Sequence, residues 1–162
     1  MGSPNILLPF IPGSANCSCS ISLFTTTVPK SNIGSAETTL YSASLLGNVI
    51  NNTNSISNII FSGSVAGANT IKVYLGANGN NTDTLILEIQ PTAAWVVNIS
   101  LLTQSSTEIV ASATSSDTAV SKVTSVTPLN LGLTNYVTIT GQSTVSNNVT
   151  LLSGSGVYLG NA

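Results

Sequence analysis

The chain has 162 residues with three lysines, five carboxylates, no arginine and no histidine, for a formal net charge of −2. Charged side chains make up 5% of it, against roughly 25% in an ordinary globular protein. So sparse a set excludes nucleic-acid binding, which needs clustered cations against phosphate, and the missing histidines remove the usual general base and the commonest metal ligand.

The length fits one domain with an extended arm. A monomer of this mass exposes roughly 7,500 Å² by surface scaling, too much for so few charges to keep soluble. Hydroxyls and amides must therefore cover the free surface, and much of the rest is expected to meet other chains. No apolar run reaches the ~18 residues of a membrane span. The start, Met1-Gly2-Ser3-Pro4-Asn5-Ile6, lacks the basic residues of a signal peptide, so synthesis in the cytoplasm and no membrane contact are expected. Cys17-Ser18-Cys19 would close a strained, very small loop, so the two thiols are expected to be reduced and non-ligating.

Residues 1–20 read as an extended apolar arm. Pro4, Pro9 and Pro12 interrupt Ile6, Leu7, Leu8, Phe10 and Ile11, and prolines at this spacing exclude a helix and a central strand. Five large apolar side chains on such a segment must dock on something, either the open end of their own domain or a neighbouring subunit or larger surface. They are the candidate partner-binding residues.

Residues 21–162 read as strands. Ile21 to Val28 is rich in Thr and ends at Pro29, and a turn from Asn32 leads to a strand with Leu40 inward. Ile59 to Gly76 reads as a hairpin, with Ile71, Val73 and Leu75 alternating against Thr70, Lys72 and Tyr74 around a Gly67-Ala68-Asn69 turn. Residues 76–83 form a polar hairpin loop, where Asp83 is a single carboxylate and too few for calcium. Leu85, Leu87 and Ile89 form one apolar row and Trp95, Val97, Ile99 and Leu101 another. A further hairpin turns at Ser115-Ser116-Asp117, and two last strands are joined by Val145-Ser146-Asn147. Gly154, Gly156 and Gly160 suggest close backbone approach by another strand or chain. The sum is an all-β jelly-roll sandwich of about 8–10 antiparallel strands.

Asn32-Ile33-Gly34-Ser35-Ala36-Glu37-Thr38-Thr39-Leu40, Phe61 to Ala66 leading to Lys72-Val73-Tyr74-Leu75-Gly76, and Trp95 on the following strand together resemble a jelly-roll module of tailed-bacteriophage virion proteins. That module is similar in fold to tumour-necrosis-factor-like trimers. The likeness spans roughly residues 25–160 and departs from the pattern where Leu101-Leu102-Thr103 replaces an Arg after the Trp strand. It implies a virion part and a homotrimer without cofactor or metal, partnered by itself and by the major capsid protein or another virion protein. A capsid decoration or cement protein that stabilises the head lattice is the expected role. The alternative is a head-fibre or tail-fibre adhesin using loops such as Asn48 to Asn54 or Ala77 to Asn81. No catalytic constellation is legible, because abundant Ser stands without a base.

Overall fold

The computed structural model describes residues 20–47, 55–117, 120–146 and 148–159. The arm residues Ile6, Leu7, Leu8, Phe10 and Ile11, the two cysteines, the loop at 48–54 and Gly160 lie outside them. Eleven strands occupy the described residues: β1 (Ser20–Thr26), β2 (Lys30–Ser31), β3 (Thr38–Leu45), β4 (Ile56–Val65), β5 (Asn69–Gly76), β6 (Thr84–Ile89), β7 (Ala94–Ser105), β8 (Glu108–Ser115), β9 (Ser121–Val126), β10 (Asn135–Ser143) and β11 (Val149–Leu159).

Two antiparallel sheets face each other. The larger runs β1-β11-β4-β7-β8-β9, with β2 also on β11, and the smaller runs β3-β10-β5-β6. The pairs β1·β11, β3·β10, β4·β7 and β5·β6 are nested one inside the next. One long hairpin, turning between β5 and β6, is thus rolled so that successive pairs alternate between sheets, which is the jelly roll. The β8–β9 hairpin extends the larger sheet beyond β7, turning through Ser115-Ser116-Asp117 as the sequence implies.

Strand alternation fills the space between the sheets. Ile59 and Phe61 of β4 and Trp95, Val97, Ile99 and Leu101 of β7 meet Ile71, Val73 and Leu75 of β5, with Leu40, Leu87 and Ile139, in one buried cluster. Each fully buried aliphatic side chain contributes about 1.5–3 kcal/mol of transfer free energy.

Three expectations require correction. Ile59 to Gly76 is not a hairpin: β4 pairs with β11 and β7, whereas β5 pairs with β10 and β6. Both strands carry an apolar row, and placing them in opposite sheets lets the rows cover each other. The turn between them is a crossing, in which Gly67 has φ +82° and the Val65 and Ala66 N–H groups donate to Ala93 and Asn148 carbonyls. In β6, an irregularity opposite Val73/Tyr74 sets Leu85 opposite Tyr74 on the outer face and buries both Ile86 and Leu87, so the Leu85-Leu87-Ile89 row is broken. Gly154 and Gly156 make room for aromatic rings of their own domain. A Cβ on Gly154 would lie 2.6 Å from the Phe61 ring and one on Gly156 2.5 Å from the Phe24 ring, and the two rings stack with centroids 5.8 Å apart.

Candidate assembly surface

The outer faces of the two sheets differ. On the smaller sheet Glu37, just before β3, receives hydrogen bonds from Tyr74 Oη at 2.7 Å, Thr140 Oγ1 at 2.8 Å and Lys72 Nζ at 3.1 Å. Burial alone would raise the Glu37 pKa, but these three donors and the Lys72 charge outweigh it and hold the carboxyl below its ordinary value. Burial, with Glu37 as hydrogen-bond acceptor and neighbouring charge, pushes the Tyr74 phenol up. The loop after β5 also folds back on this face. Asp83 accepts from the Asn78 and Gly79 N–H groups, and Gly79, at φ +69°, lies against Ser42 and Tyr136. Within Ala77 to Asn81, one of the loops read as a fibre-type binding loop, Gly79 thus rests on the sheet while Ala77, Asn78 and Asn81 stay exposed.

The charged groups in the described residues are largely committed to contacts of this kind. Asp117 Oδ2 accepts from the Thr92 N–H, Glu108 Oε1 from Ser125 Oγ, and Lys122 Nζ donates to the Leu85 carbonyl. No group of three or more His, Cys, Asp or Glu side chains able to hold a metal ion occurs among the described residues.

The larger sheet presents the opposite picture. Residues directly opposite across an antiparallel pair share a face, and the register aligns Leu159, Ile56, Leu102 and Val110 across β11, β4, β7 and β8. This aliphatic row crosses four strands, about 14 Å at ordinary strand spacing. Leu159 and Ile56 are 39% and 40% exposed. The next rows hold Val157 with Asn58, Ser100, Ser112 and Val123, then Ser155 with Ile60, Asn98, Thr114 and Ser121. Among the described strand residues of this face the one charged side chain is Glu108, at the start of β8. Apart from Glu108 the surface is a field of aliphatic, hydroxyl and amide side chains, a pattern suited to contact with another protein.

This face was legible only indirectly. Ile59-Ile60, Val96-Val97, Leu101-Leu102 and Ile109-Val110 are apolar doublets, and in each the strand period sends one residue to the core and the other outward. The period of two marks Val97 and Leu101 as inward and sets Val96 on the opposite face, without saying what covers that face. The arm residues proposed as the partner-binding set lie outside the described residues, but β1, which the arm precedes, pairs Ser20 with Leu159 and so begins at the end of the aliphatic row.

No protein-family model matches the chain, and no curated protein matches it. Among solved structures, the chain is similar over 88% of its length to the CBM2 module of the evolved Dit of Lactobacillus casei BL23 phage J-1, with 97% of that chain covered, at 7% identity and a TM-score of 0.45. It is also similar over 89% of its length to 32% of a chain of infectious bursal disease virus, Gx strain, at 16% identity and a TM-score of 0.32. The Gt strain gives 89% and 42% coverage, 15% identity and a TM-score of 0.23. At these scores the likenesses carry no functional argument, and the jelly-roll assignment rests on the strand pairing itself.

Proposed function

We propose that the chain is a virion structural protein, a homotrimeric capsid decoration or cement protein that binds the head lattice. The observation that carries this reading is the outer face of the larger sheet, uncharged but for Glu108 and crossed by the aliphatic row Leu159, Ile56, Leu102 and Val110. A protein with 5% charged residues and such a face is built to be covered. Copies related by a threefold axis bury part of this face against one another, and closed symmetry limits the assembly to a finite particle.

The arm is the anchor. Ile6, Leu7, Leu8, Phe10 and Ile11 contribute about 1.5–3 kcal/mol each if fully buried, before ordering is subtracted, and three arms on one trimer multiply the effect through effective concentration. The action is mechanical: apolar burial bridges adjacent capsid subunits. It requires no cofactor.

Deleting residues 1–13 and titrating the truncated protein onto capsids stripped of it tests the anchor. The truncated chain is expected to keep its fold and its trimer and to lose capsid binding. A truncated protein that still saturates the particles overturns the anchoring role.

A further inference from the structure

At one end of the smaller sheet, away from the aliphatic row, the β4–β5 crossing, the segment after β6 and the end of β10 surround a cavity of about 410 Å³, within the usual size range of small-molecule sites. Its floor follows from register. Thr70 of β5 pairs with Gln142 of β10, and Ile71 pairs with Ile89, which brings Gln90 to the opposite side of Thr70. Two carboxamides therefore flank a hydroxyl, and Thr92 adds a second hydroxyl to the lining. The Gln142 Nε2 donates to the Ser35 carbonyl at 3.3 Å, which holds that side chain in place.

Asn69 also lines the cavity and is only 7% exposed. Its Nδ2 donates to the Gly67 carbonyl, while its Oδ1 is buried with no hydrogen-bond partner among the described residues. Asn69 shares the inward face of β5 with Ile71 and Val73, so its closed-off Oδ1 is out of reach of a ligand and Asn69 forms part of the cavity wall without hydrogen bonding to an occupant.

The chemistry of the lining narrows the ligand. It holds no charged side chain, so neither an anion nor a metal cation finds a counter-charge. Its aliphatic members are no larger than Ala68 and Pro91, so a peptide finds no apolar pocket for its side chains. What remains is a concentration of carboxamides and hydroxyls, each able to donate and accept. We infer that this cavity is a binding site for an uncharged saccharide, with the carboxamides of Gln90 and Gln142 and the hydroxyls of Thr70 and Thr92 as its hydrogen-bonding groups. The role goes beyond assembly and uses a surface that the aliphatic row leaves free. With no aromatic ring in the lining to stack on a sugar face, affinity is weak for a single site and gains from several copies on one particle.

The test is an amide-detected NMR titration of the full chain with cellobiose, lactose and N,N′-diacetylchitobiose at millimolar concentrations. At least one sugar is expected to move the side-chain amide signals of Gln90 and Gln142 more than that of the inward-facing Asn69. The exposed Gln90→Ala is expected to weaken that binding about fivefold, the loss of one net hydrogen bond, with its spectrum otherwise unchanged. No response to any of the three sugars overturns the proposal, as does a response that Gln90→Ala leaves at full strength. Movement of these amides by an N-acetylated Gly-Ser-Gly peptide but by no sugar also overturns it, in favour of a peptide site.

Discussion

Glu37 is one of five carboxylates in the chain, and it ties the loop before β3 to β5 and β10 through Lys72, Tyr74 and Thr140. Its folded pKa is depressed, so its contribution is present above the unfolded value near 4.5 and is lost as pH falls through the lower folded value. Tyr74 behaves in the opposite sense. Its folded pKa is raised, so its contribution is complete below pH 10 and is lost only as pH rises through the folded value. Glu37→Gln is expected to lower stability by about 2 kcal/mol at neutral pH, the scale of hydrogen bonds to a charged group. It should also flatten the fall in thermal midpoint below pH 4.5, read by scanning calorimetry against pH; parallel curves for the two proteins would remove Glu37 from the acid response. Gly63 gives a sharper steric test. A Cβ there falls on the Thr150 carbonyl oxygen and the Trp95 ring, and backbone cannot yield as a flexible side chain can. Gly63→Ala is expected to cost about 3 kcal/mol or more in chemical denaturation, and an unchanged midpoint would contradict this packing.

At the scale of the strand, neighbouring residues have opposite roles. Ile59 is fully buried, and Ile60, beside it, is 46% exposed. Ile59→Ala is expected to destabilise the domain by about 2–5 kcal/mol. Ile60→Ala is expected to stay within about 0.5 kcal/mol in the isolated subunit while weakening association, so denaturation and sedimentation together separate the two. Strand positions and most inward rows were legible in the sequence because a period of two is written directly into β5, β7 and β10. Sheet membership was not. Two adjacent amphipathic strands with a glycine turn fit a hairpin or a crossing between sheets equally well, and the choice depends on β10 and β11, which begin at residues 135 and 149, far along the chain. The glycines of β11 misled for a related reason: the rings that need their space come from β1 and β4. The assembly face was half legible, since a doublet such as Leu101-Leu102 says that a strand is apolar on both sides without saying what covers the second side.

For the whole molecule, the two sheets divide the work. The smaller sheet covers part of its outer face with the Glu37 network and the Asp83 loop, and the larger sheet leaves open a face on which Glu108 is the one charged side chain among the described strand residues. The central claim is that copies of the chain meet through that open face. Sedimentation of the full chain and of an Ile56→Glu/Leu102→Glu variant tests it most directly, because the two residues are opposite each other in the aliphatic row and carboxylates there would need to be desolvated to form the contact. The account predicts a trimer for the natural chain and a folded monomer, with unchanged circular dichroism, for the variant. A natural chain that sediments as a monomer at micromolar concentration, or a variant that remains a trimer, would contradict it.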